Sequence, residues 1–182
     1  MSQNRVDTIK RKVQYKGIYK DRFGEEPVVI SNDFETLSFV INGVCFCGTE
    51  FSDFAVDNEE AYSVEQLKRF TFFSVPVYNA DIIQKTLCDC QFEVYVPQLM
   101  IRKSDKKEFS TELKVEYSLG KERPIRRGLE FEEVTLSFLV DGKLYTGTGG
   151  FFEIAFDAIY RRFEDLYQFK NCYGCMFGDY SI

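Results

Sequence analysis

The sequence predicts an α+β fold, mainly antiparallel β, with two related hairpin-plus-helix units around a shared Phe-rich core. Three observations carry this expectation: an Asn-Gly and an Asp-Gly pair set between alternating apolar runs, period-two patterning over much of the chain, and one stretch of helical periodicity near the C-terminus. With 182 residues, 45% of them hydrophobic and 19 of them Phe, the chain can bury a full core without disulfide staples.

In chain order, strands are expected over residues 12–19, 27–30, 71–75, 91–101, 112–119 and 129–140, where β-branched and aromatic residues concentrate. Pro97 lacks an N–H to give to a ladder, so its run is expected at a sheet edge or at a bulge. Asn42-Gly43 and Asp141-Gly142 tolerate the positive φ of a two-residue type I′ turn, which predicts a tight hairpin at each. Ser63 and Gln66 have the spacing of a capping box and predict a short helix running to Leu67 and Phe70. Phe152, Phe156, Ile159, Tyr160, Phe163 and Leu166 recur at helical steps, so they predict a longer helix with one apolar face, opposite Arg161, Arg162, Glu164 and Asp165.

The two hairpins resemble each other. Residues 36–49 and 135–148 are identical at seven of fourteen positions at a constant offset of 99, and Leu67 and Phe70 align at that offset with Leu166 and Phe169. An internal duplication is the expectation. It divides the chain into residues 1–105, a first unit with a basic N-terminal strand and an acidic segment, and residues 106–182, a second unit carrying the amphipathic helix. The two can close into one compact domain, with the polar stretch 102–107 as the joint.

Composition restricts the chemistry. There is no His, which excludes Ser-His-Asp and Cys-His catalysis within the chain and imidazole metal ligation. Charge is uneven: residues 1–22 sum to +5, residues 23–67 hold ten acids and no base, and the remainder is −1, giving the overall −6. Such a field attracts basic partners and repels nucleic-acid phosphates. The expected function is therefore a non-catalytic protein-binding module whose acidic surface engages a basic protein partner, a bacterial immunity or inhibitor protein being one concrete form. Glu50, Asp53, Asp57, Glu59 and Glu60 are the candidate binding residues, and no cofactor is expected. A carboxylate-based hydrolase would instead need two acids converging in a pocket. The basic cluster Lys121, Arg123, Arg126 and Arg127 flanks Pro124 and reads as loop decoration. No apolar run is long enough to span a bilayer or to form a signal-peptide core, so a cytoplasmic protein with reduced thiols is expected.

The cysteines fall in close pairs: Cys45 and Cys47, Cys88 and Cys90, Cys172 and Cys175. Residues i and i+2 of a strand share a face, so the first two pairs could converge on a four-thiolate zinc site, while Cys172-Tyr173-Gly174-Cys175 has a spacing used by zinc knuckles and redox dithiols. Against these alternatives stands packing as small hydrophobes, because Cys45 aligns with Leu144 in the second unit. Gly147-Thr148-Gly149-Gly150 lacks the Lys-Ser/Thr of a phosphate-binding loop and reads as a hairpin exit leading into a helix.

The tail Cys172-x-x-Cys175-x-x-x-Asp179-Tyr180-Ser181 resembles the C-terminal signature of an uncharacterised bacterial domain family of unknown function. That resemblance implies no activity.

Overall fold

The computed structural model describes residues 12–76, 83–125 and 128–170. Their strands are β1 (Val13–Asp21), β2 (Gly24–Asn32), β3 (Leu37–Ile41), β4 (Val44–Gly48), β5 (Ala55–Val56), β6 (Thr71–Pro76), β7 (Ile83–Cys88), β8 (Cys90–Arg102), β9 (Glu108–Leu119), β10 (Glu132–Val140), β11 (Lys143–Gly149) and β12 (Tyr167–Phe169). A 3-10 turn at Glu59–Ala61 and helix α1 (Val64–Leu67) lie between β5 and β6, and helix α2 (Phe152–Tyr160) follows β11. The strands form one sheet in the order β11-β10-β9-β8-β1-β2-β3-β4-β5-β7-β6, with β12 pairing β8, and every pairing is antiparallel.

Local chemistry accounts for the turns. Asn42 and Gly43 join β3 to β4 with φ of 49° and 76°, and Asp141 and Gly142 join β10 to β11 with 50° and 77°, the left-handed pair that a type I′ turn demands. Both hairpins bury matching positions: Phe39 and Phe138, Ile41 and Val140, Phe46 and Tyr145. Ser63 caps α1 through a complete capping box with Gln66. Residues 102–107 are the turn of the β8–β9 hairpin: the Arg102 N–H donates to the Lys107 carbonyl at 2.9 Å, and the ladder that follows pairs β8 with β9 from Ile101↔Glu108 to Cys90↔Leu119. On its other side β8 pairs β1 only at 90–95 and β12 only at 100–102. Pro97 falls in the gap, so its strand is an edge there despite its central place in the sheet.

Packing is aromatic at both ends of one continuous core. Phe39 lies edge-on to Phe54 at 4.7 Å and Phe92 at 5.3 Å; in the half that α2 covers, Phe163 meets Phe138 at 5.0 Å and Phe169 at 5.2 Å. The glycine run before α2 is the expected hairpin exit, and its packing role is specific. A Cβ on Gly147 would stand 2.3 Å from the Ile159 nitrogen and 2.4 Å from the Ala155 carbonyl oxygen, so the helix backbone lies directly on β11.

The long helix is shorter than its periodicity predicts. It ends at Tyr160, and the chain turns through residues 161–166 with the Leu166 and Tyr167 N–H groups both donating to the Phe163 carbonyl. Phe163 stays in the core, but Leu166 is exposed. The chain must reverse there to place β12 against β8, and that tertiary pairing overrides the helical pattern.

On the outer face of the sheet, Glu93 is 7% exposed. It accepts a hydrogen bond from the Tyr95 hydroxyl and pairs with Lys114 at 3.2 Å and Lys20 at 3.4 Å. Burial by itself would raise its pKa, but the Tyr95 and Lys114 hydrogen bonds and the two ammonium charges outweigh that and hold it below the ordinary glutamate value near 4.5. Because the folded value is depressed, the contribution to stability is complete above the unfolded value and is lost as pH falls through the folded one. Glu93→Gln is expected to cost about 1–3 kcal/mol near neutral pH. The cost should shrink towards strong acid, as read by denaturant titrations over a pH series; a loss independent of pH would contradict the charged network.

Candidate functional site

The acidic segment is divided by the fold. Glu25 pairs with Lys20, Glu65 with Lys68, and Glu59 with Lys85 at 3.0 Å. Asp33 accepts the Glu35 and Thr36 N–H groups and closes its own turn. Arg69, at the end of α1, contacts Asp21 and bonds Glu26 at 2.8 Å while its guanidinium lies over the Phe23 ring at 4.5 Å. Much of the charge is therefore consumed within the structure.

Glu50 and Asp53 have a different setting. They lie on the β4–β5 loop, which is anchored by Phe51: its ring stacks on Tyr117 of β9 at 5.5 Å and meets Phe92 of β8 edge-on at 5.7 Å. Asp53 shapes the loop by accepting the Thr49 and Glu50 N–H groups at 2.9 Å. Gly48 permits this approach, since a Cβ there would stand 2.3 Å from the Asp53 oxygen.

The loop forms one wall of an open cleft of about 530 Å³. The β6–β7 hairpin supplies Phe73, Val75, Gln84 and Thr86; the segments bordering β10 and α2 supply Leu129, Phe131, Glu132, Gly150 and Phe151. Glu132 accepts the Tyr117 hydroxyl, so three carboxylates, Glu50, Asp53 and Glu132, face a space lined largely by aromatic and aliphatic groups. Burial, followed by the hydrogen bond and charge of Glu132, raises the Tyr117 pKa, so the phenol remains a donor. Among the described residues Arg123 is the base that lines this cleft, and its guanidinium donates to the Glu130 carbonyl of its own loop at 3.4 Å.

The other candidate residues fall elsewhere. Glu60 is exposed, and Asp57 lies beside Cys45 and Cys47, with donor atoms of all three within 4.8 Å of one another. Burial, together with Cys45 and Asp57, pushes the Cys47 thiol up to about 11. Cys88 and Cys90 are outside that group: both are buried, with Cys90 beside Tyr19 and the Cys88 sulfur against the Glu122 backbone. Burial raises both thiols, Cys88 to about 11. Among the described residues the structure brings Cys45 and Cys47 together with Asp57, and does not place Cys88 and Cys90 in that group. Cys172 and Cys175 lie outside the described residues, as does the tail pattern. The sequence did not single out Glu132 as a site residue and read Arg123 as loop decoration. Each lies far along the chain from the acidic segment.

Among the described residues no helix is long and apolar enough to cross a membrane. No curated protein and no solved structure matches the chain. A family model does match, over residues 13–178; it ends before Asp179-Tyr180-Ser181, so the family rests on the length of the chain and not on the tail pattern. The chain belongs to DUF6304, a family of unknown function.

Proposed function

We propose that this protein is a non-catalytic binding module whose cleft receives cationic side chains of a basic protein partner. The observation that carries the reading is the lining of the cleft: the carboxylates Glu50, Asp53 and Glu132 set among the rings of Phe73, Phe131 and Phe151. Carboxylates supply attraction over a distance, and ring faces add cation–π contact for a guanidinium or ammonium. The carboxylates are held as acceptors, Asp53 by its own loop amides and Glu132 by Tyr117, which suits cation binding better than proton transfer. A cytoplasmic immunity or inhibitor protein is one form this function takes.

The matched hairpins suggest how the module arose. We read β3–β4 and β10–β11 as descendants of one duplicated unit, with the β4–β5 loop and the β6–β7 hairpin as the first copy's elaboration. In this reading the cleft lies where the elaborated copy meets its simpler relative.

Titration with an arginine-rich peptide tests the proposal. Wild-type protein should bind more tightly at low salt than at high salt. Glu50→Lys should weaken binding by about ten-fold, equivalent to about 1.4 kcal/mol. Asp165→Lys, exposed and outside the cleft, should change it little. Equal losses in the two variants, or binding indifferent to salt, would remove the cleft from consideration.

A further inference from the structure

We infer that Cys45, Cys47 and Asp57 form a binding site for a single thiophilic divalent cation, zinc in type, with one coordination position left open. In β4, Val44 and Phe46 are fully buried, so Cys45 and Cys47 project from the opposite, outer face. The register of β4 with β5 pairs Phe46 with Val56 and Cys47 with Ala55, which carries Asp57 opposite Cys45; the Asp57 N–H donates to the Cys45 carbonyl at 3.1 Å. Backbone geometry thus fixes all three donors on one patch. The Tyr62 hydroxyl accepts the Cys45 N–H at 3.0 Å and further fixes that strand.

The donor set favours a soft or borderline cation. Two sulfurs and one carboxylate oxygen lie within 4.8 Å of one another, and in a tetrahedral zinc site paired sulfurs stand about 3.8 Å apart, so small side-chain rotations close the site. Asp57 is exposed, which leaves the fourth position to solvent or an incoming ligand. Packing accounts poorly for these two cysteines. They are only half-buried on the outer face, and Leu144, the counterpart of Cys45 on the second hairpin, is exposed as well. As the metal–sulfur bonds form, both thiols pass their protons to the buffer.

None of the three residues lines the cleft, and the test of the site is separate. Full-length protein kept reduced would be titrated with Cd²⁺, following the ultraviolet thiolate-to-metal band, and with Co²⁺, following the visible bands of tetrahedral cobalt. One equivalent should bind. The Cys45→Ser/Cys47→Ser protein should lose the band while keeping its circular dichroism and melting temperature. Asp57→Asn should weaken affinity at least about ten-fold, and Cys172→Ser/Cys175→Ser should leave the band in place. Retention of the band without Cys45 and Cys47, or its loss when only Cys172 and Cys175 are replaced, would overturn the assignment.

Discussion

Gly147→Ala is expected to destabilise the fold by about 3 kcal/mol or more, at the upper end of what overpacking costs. The added methyl would meet the backbone of α2 at Ile159 and Ala155 rather than a flexible side-chain tip, so the helix itself must move. Moving α2 disturbs Ala155, Phe156 and Ile159, which seal that half of the core. For a chain of this size the loss corresponds to a fall of about 6–12 °C in Tm. Gly150→Ala is the control: its nearest foreign atom, the Glu132 carbonyl oxygen, would lie at an ordinary 3.7 Å. Thermal melts of the two variants should therefore differ widely. Equal, small shifts would mean that α2 does not rest on β11 as described.

Arg69→Ala is expected to cost about 3 kcal/mol. The Arg69 side chain is only 18% exposed and that of Asp21 only 5%, so truncation leaves a buried carboxylate without its cation, the situation in which an ion pair matters most. Glu26 and the Phe23 ring lose the same partner. Arg69→Lys should recover little, because a single ammonium cannot reach two carboxylates and cover a ring as the planar fork does. A double-mutant cycle with Asp21→Asn, read by chemical denaturation, should show strong coupling. Additive losses would reduce the contact to a surface pair.

The sequence makes visible those features whose causes are local. Asn42-Gly43 and Asp141-Gly142 announce their turns because positive φ is a property of the residues themselves, and Ser63 with Gln66 announces α1 for a similar reason. Strand β7 escapes notice because Ile83, Gln84 and Lys85 are exposed and Thr86, Leu87 and Cys88 are buried, a block pattern with no alternation. Strand β12 is too short to carry a period, yet its pairing with β8 is what cuts α2 short. The charge count along residues 23–67 overstates the acidic field because Lys20, Arg69 and Lys85, all outside that window, neutralise part of it.

The candidate sites were legible only in part for the same reason. The i, i+2 rule places Cys45 and Cys47 together, but Asp57 joins them through the register of the two-residue strand β5, which no propensity reveals. In the cleft, Glu50 and Asp53 stand out by charge, whereas Glu132 and the rings around it are brought in by the path of the sheet.

Backbone NMR of the full chain during titration with an arginine-rich peptide tests the binding role of the cleft most directly. The account predicts saturable shifts concentrated on Glu50, Ser52, Asp53, Phe131, Glu132 and Phe151, and their disappearance in Glu50→Lys. Shifts centred on Asp57, Glu59 and Glu60, or spread evenly over the exposed carboxylates, would contradict it.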